Sequence, residues 1–188
     1  MGSEMCIRDR NVQIKKQSHY FIVSGKDFRF KLNLDTGLLE SYYYKDQLLM
    51  KEGPKPNISR AKLDNDSSHF KDIMSYLTLD GEPTVGKSTD GNYMLTTKWN
   101  SSYLLDSKTK TPGTIEMSYL IEDTGAVTVR MKLDFTKTKV KKFIKVGTRL
   151  SLAKGTENVS WYGNGDDESY CDRQTYTRVG AYTSTVNK

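Results

Sequence analysis

Apolar and polar positions alternate along most of this chain, with the period of a β-strand rather than that of a helix. Phe28, Phe30, Leu32 and Leu34 alternate with Arg29, Lys31 and Asn33, so one face of the strand is predicted to be buried. Asp35-Thr36-Gly37 then turns the chain. Leu38 to Tyr44 and Gln47 to Met50 follow as short β-type runs parted by Lys45-Asp46, an arrangement that predicts an antiparallel meander. Val127, Val129, Met131, Leu133 and Phe135 repeat the alternation after an Asp123-Thr124-Gly125 turn. Tyr93 to Trp99, Thr114 to Glu122, Ile144 to Leu152 and Val159 to Tyr162 complete the β-type runs. Short strands joined by glycine turns predict an all-β sandwich of antiparallel sheets. One short helix is expected, capped by Ser68, with Phe70, Ile73, Met74 and Leu77 on one face. The two prolines of the segment Gly53 to Asp66 are expected to exclude regular pairing there.

Composition narrows the classes. At 188 residues the chain is long enough for one domain with a real core and short for two. No apolar run approaches a membrane span and no targeting signal is visible, so a soluble domain is expected, with its compartment left open. The net charge of +6 arises from 29 basic and 23 acidic residues spread along the chain. Only Lys137, Lys139, Lys141, Lys142 and Lys145 cluster. Four of these five flank β-type residues, and the cluster reads as the protected outer face of a strand rather than as a polyanion site. Cys6 and Cys171 make no disulfide framework, and His19 and His69, the only histidines, lie far apart in sequence, which weakens the case for a histidine-rich metal centre or a His-dependent triad. Four Asn-X-Ser sequons begin at Asn57, Asn65, Asn100 and Asn158; they matter only in a glycosylating pathway.

Two stretches carry candidate chemistry. Glu157 to Arg173, E-N-V-S-W-Y-G-N-G-D-D-E-S-Y-C-D-R, joins aromatic rings to carboxylates. Trp161, Tyr162 and Tyr170 could stack on a sugar ring while Glu168 bonds its hydroxyls; Arg60 joins them as a candidate carbohydrate contact. Gly163-Asn164-Gly165 is expected to bend the backbone through φ > 0 at the strand end. The same residues also suit a rigid corner, with Trp161 and Tyr170 as core anchors and Arg173 holding Asp172 or Glu168. The second stretch is G-P-K-P-N-I-S-R-A-K-L-D-N-D, Gly53 to Asp66. Asp64, Asn65 and Asp66 could offer oxygen ligands to a hard cation, although the glycine and distal glutamate of an EF-hand are missing.

These two stretches, in this order and spacing, resemble the signature segments of the C-terminal, small-chain domain of family 2 β-galactosidases. The likeness extends to Asp35-Thr36-Gly37-Leu38-Leu39, to I-K-V-G-T-R-L-S-L from Ile144 to Leu152, and to the ending Val179-Gly180-Ala181-Tyr182 with Ser184-Thr185-Val186. It covers nearly everything from about Tyr20 to Lys188. The chain departs from the family at Ile58 and Ser59, where aromatics are usual, at Asp166 and Cys171, where proline is usual, and at Lys145, where arginine is usual. Met1 to Arg10 is similar instead to a translated sequencing-adapter peptide, so residues 11–188 are expected to be the N-terminal part of the small-chain domain, stopping before the domain is complete.

The resemblance implies a galactose-mutarotase-like supersandwich, incomplete at its C-terminus, belonging to a larger hydrolase. In that family two glutamates of a TIM barrel perform retaining cleavage of terminal β-galactosides. No catalytic residue is carried over to this chain, which is expected to be inactive alone and to act as scaffold and pocket wall. Its expected partners are the remaining domains of the parent, the β-galactoside through the parent, and another copy in a homo-oligomer; nucleic acid and membrane are not expected. No cofactor is expected in this piece, with a divalent cation left open for the parent. The rival readings are a stand-alone carbohydrate-binding module and a sugar epimerase of the mutarotase-like fold. For the second, His19 and His69 lie far from any motif, and shared fold alone does not transfer function.

Overall fold

The computed structural model describes residues 12–58, 73–103, 108, 110–140, 143, 145–165 and 175–186. They divide into two compact units, the first ending at Ser151 and the second beginning at Leu152. In the first, β1 (Gln13–Gln17), β2 (Tyr20–Ser24), β3 (Phe28–Asn33), β4 (Leu39–Tyr44), β5 (Gln47–Pro56) and β11 (Thr148–Leu152) form one sheet in the order β1-β2-β3-β4-β5-β11. A second sheet runs β10 (Val127–Asp134), β9 (Gly113–Ile121), β8 (Tyr93–Ser101), β6 (Leu77–Leu79), with β7 (Thr84–Lys87) also paired to β8. All the registers seen are antiparallel.

The alternation read from the sequence is the alternation of burial. In β3, Phe28, Phe30 and Leu32 are buried while Arg29 and Lys31 are exposed. In β9, Ile115, Met117, Tyr119 and Ile121 are buried, and Leu95 and Trp99 of β8 lie beside them in one core. Each such side chain contributes roughly 1.5–3 kcal/mol when taken from water. The sandwich is therefore held chiefly by the two facing apolar surfaces.

Side-chain bonds tie one sheet to the other. The Tyr119 hydroxyl donates to the Pro54 carbonyl at 3.1 Å, and burial raises its pKa, so it stays a neutral donor. Tyr42 donates to the Gly125 carbonyl, and its ring stacks on Phe30 with centroids 5.7 Å apart. Of the three consecutive tyrosines, Tyr42 is thus the one that packs inward, while Tyr43 lies under Arg29 at 4.3 Å. Trp99 Nε1 donates to the Thr36 carbonyl at 3.3 Å. That last bond needs the Asp35-Thr36-Gly37 turn pressed onto β8. Gly37 has φ 72, and a Cβ there would collide with Thr97, Leu79 and Trp99.

Several expectations are corrected. β5 runs through both prolines to Pro56, because its register with β4 ends at Glu52 and the missing N–H groups fall where β4 needs no donor. Gly53, with φ 101, brings the backbone against Arg149 and Leu150 there. The described part of the expected helix is a single 3-10 turn, Ile73–Tyr76, and Leu77 already belongs to β6. Ser68 and Phe70 lie outside the described residues. The described lysines of the cluster do not sit on a strand: after β10, the Thr138 N–H and hydroxyl both donate to the Phe135 carbonyl, at 3.0 and 2.8 Å, and this local turn replaces a ladder. Lys137, Lys139 and Lys145 therefore lie off the sheets, and Lys141 and Lys142 fall outside the described residues. β1, β6, β7 and β13 (Val179–Thr185) were not anticipated as strands, being short or polar.

Thr97 is 1% exposed and its hydroxyl has no partner among the described residues. Replacing it with valine keeps the shape and removes an unsatisfied polar atom. Thr97→Val is expected to stabilise the chain by about 1 kcal/mol in urea unfolding, whereas Gly37→Ala is expected to cost about 2 kcal/mol or more. A destabilised Thr97→Val would mean that the hydroxyl is bonded.

Candidate functional site

The second unit contains the stretch singled out for its aromatic and acidic residues. β12 (Asn158–Asn164) pairs with β13 over seven registered positions, from Asn158↔Thr185 to Asn164↔Val179. Trp161 faces Tyr182 directly across the strands, and their rings stack with centroids 5.5 Å apart and planes at 24°. Both polar tips are satisfied by the hairpin's own backbone. Trp161 Nε1 donates to the Asn164 carbonyl at 2.9 Å, and the Tyr182 hydroxyl donates to the Arg178 carbonyl at 2.7 Å.

Neither Gly163 nor Gly165 occupies the left-handed region, and β12 continues through Asn164, so the expected turn is absent. The glycines have a different reason to be there. A Cβ at Gly165 would lie 2.9 Å from the Tyr182 hydroxyl oxygen, and one at Gly180 3.3 Å from the same ring. Without side chains, they leave a floor on which the tyrosine lies flat. Trp161-Tyr162-Gly163 and Gly180-Ala181-Tyr182 thus mirror each other across the hairpin, a pattern that the sequence does carry. Tyr182 was missed as a site residue because its own strand, β13, was not recognised.

Tyr162 points to the other face, opposite Ala181, and is 81% exposed. Its neighbour across the diagonal, Val179, is also exposed. Glu157, the nearest carboxylate in sequence among the described residues, accepts the Gly155 N–H at 3.0 Å. That bond, and then its own backbone N–H, hold its pKa below the usual carboxylate value. Glu157 is therefore a loop tie that is ionised at neutral pH, unsuited to serve as a general acid.

Of the candidate carbohydrate contacts, Trp161 and Tyr162 are adjacent in sequence but on opposite faces, so one sugar ring cannot stack on both. Glu168, Tyr170 and Arg60 lie outside the described residues, as do Arg173 and Asp172. So do the candidate metal ligands Asp64, Asn65 and Asp66. His69 is likewise outside, while His19 forms an exposed pair with Asp35 at 2.9 Å. Among the described residues no three His, Cys, Asp or Glu side chains cluster as metal ligands, and no helix is long and apolar enough to cross a membrane.

Comparison with known proteins decides the family. The family model described as the β-galactosidase small chain matches residues 24–188. The chain belongs to the β-galactosidase small-chain family. The match takes in the first unit from Ser24 onward and the whole hairpin. Among curated relatives, a β-galactosidase of Streptococcus thermophilus is 26% identical over 177 residues, covering 88% of this chain and 16% of the relative. One of Vibrio cholerae is 23% identical over the full chain and 20% of the relative. One of Clostridium acetobutylicum is 25% identical over 87% of the chain and 18% of the relative. This chain therefore spans a fifth or less of the length of these relatives.

The glycine floor makes a prediction for the small-chain hairpin. Gly165→Ala is expected to push the Tyr182 ring off its seat and change Trp161 emission, measured in a Trp99→Phe background so that only Trp161 reports. Unchanged emission would show that the floor is not needed. The acid side has a defined sign. Because the folded pKa of Glu157 lies below its ordinary value of 4.5, its contribution is present above that pH and lost as pH falls through the folded value. In Glu157→Gln the corresponding part of the acid dependence of hairpin unfolding should vanish.

Proposed function

We propose that this chain is an accessory β-sandwich segment of a β-galactosidase, in which it serves as scaffold and wall of the carbohydrate pocket. The observation that carries the reading is the small-chain family match over residues 24–188, together with much longer relatives, of which the match covers 16%, 20% and 18%, that bear the name β-galactosidase. On this reading hydrolysis of terminal β-galactosides is performed by a pair of carboxyl groups in another domain of the parent, with retention when they stand about 5–5.5 Å apart. The remaining domains of that parent are the partners of this piece.

The hairpin supports a division of labour. Trp161 has its ring stacked and its N–H bonded within the hairpin, which suits a corner anchor. Tyr162, projecting from the opposite face, remains available to a sugar or to a neighbouring domain. A wall residue of this kind contributes substrate binding without touching the reacting bond.

The purified chain is expected to show no hydrolysis of a chromogenic β-galactoside, while a longer gene product that contains it hydrolyses the same substrate. In the longer protein, Tyr162→Ala is expected to raise KM about three- to tenfold with a smaller change in kcat, the loss of one aromatic contact. Hydrolysis by the 188-residue chain alone would overturn the accessory reading.

A further inference from the structure

The outer face of the second sheet of the sandwich holds a groove of about 560 Å3. Register places three rows of side chains across it. Thr96, Ser118 and Arg130 form one row over β8, β9 and β10; Lys98, Glu116 and Lys132 form the next; Met94 and Leu120 begin the third. Neighbours within a row stand about 5 Å apart.

The polar groups of this groove do not satisfy one another. Among the described residues, the side chains of Thr96, Glu116, Ser118 and Arg130 make no hydrogen bond or ion pair. Lys98 is taken by Asp80 at 3.1 Å, and Lys132 feels Asp134 on its own strand. Thr96 and Ser118 are half-buried, so water reaches their hydroxyls only from the groove side. A carboxylate beside a lysine in a cross-strand row ordinarily pairs with it; here Glu116 stands apart. The groove therefore presents an unpaired guanidinium, the Lys132 ammonium with Asp134 two residues along its strand, two hydroxyls that can donate or accept, and the Glu116 carboxylate that only accepts.

We propose that this groove binds small, hydroxyl-rich anions, the chemistry shared by sugar acids and sugar phosphates. Arg130 and Lys132 receive the oxyanion, for which a guanidinium is the stronger partner. Ser118 and Glu116, one strand further in, and Thr96, two strands further in, receive hydroxyls of the same ligand. Met94 offers an apolar edge to its C–H face. The requirement for both halves follows from charge: two cations attract any anion, but Glu116 repels one that carries no hydroxyl to donate to it. This site is independent of the pocket-wall reading, since it uses none of the hairpin residues.

The test is a titration of the 15N-labelled chain, followed by NMR, with D-galacturonate, with glucose 6-phosphate, with neutral D-galactose and with inorganic phosphate. Expected are amide shifts confined to Met94–Lys98, Glu116–Leu120 and Thr128–Lys132, produced by galacturonate, glucose 6-phosphate or both. Binding should weaken at least tenfold in Arg130→Met, several-fold in Glu116→Gln, and with added salt. Both substitutions are on the solvent face, and the spectrum itself reports whether the fold is kept. The proposal is overturned by an absence of shifts with both sugar anions to about 50 mM, by shifts scattered over the surface, or by unchanged affinity in Arg130→Met. It is equally overturned if inorganic phosphate or neutral galactose binds as tightly as the sugar anions.

Discussion

Burial of one face of β9 against the first sheet is the constraint on which the sandwich depends. Ile115, Met117, Tyr119 and Ile121 are each at most 1% exposed, and they face a surface built from Phe28, Phe30, Leu32 and Leu39. A strand with such a face cannot slip by one residue without exposing the whole set and burying Glu116 and Ser118. The register of β8 and β10 on either side follows from it, because both are paired to β9 over nearly their full lengths. The cross-sheet bond from Tyr119 to Pro54 then sets where the two sheets meet. The outer groove is a by-product of the same register, since the residues between the buried ones must point to solvent.

The hairpin of the second unit is held on a different principle. A two-stranded ribbon has little apolar surface to bury and is marginal by itself. Here an aromatic pair lies over glycines, and each ring's polar tip closes onto a carbonyl of the same ribbon. The result is a local, self-satisfied corner. It explains how a stretch with strong family character can have its tryptophan already engaged, so that family identity and ligand contact fall on different residues.

Much of the fold was legible because one-sided burial writes itself into the chain at period two. Phe28 to Leu34, Tyr93 to Trp99, Thr114 to Glu122 and Val127 to Phe135 could be read to within a residue or two for this reason. β1 and β7 carry no such mark, since neither has a buried residue. The prolines of β5 misled because their cost depends on which side needs a donor, a matter of neighbours. At Gly163 and Gly165 the turn reading used conformational freedom, whereas the structure uses absence of volume. Only the partner strand distinguishes the two.

The chain by itself determined the all-β class, the turns at Gly37 and Gly125, most of the core and, through its two signature stretches, the small-chain family. These are properties of local pattern, in which each residue's chemistry acts on its own strand or turn. Tertiary structure alone decided that Trp161 meets Tyr182 while Tyr162 turns away, and that Arg130, Ser118 and Thr96 share one groove. Those relations join residues 12 to 34 positions apart, through register set by the burial of other side chains.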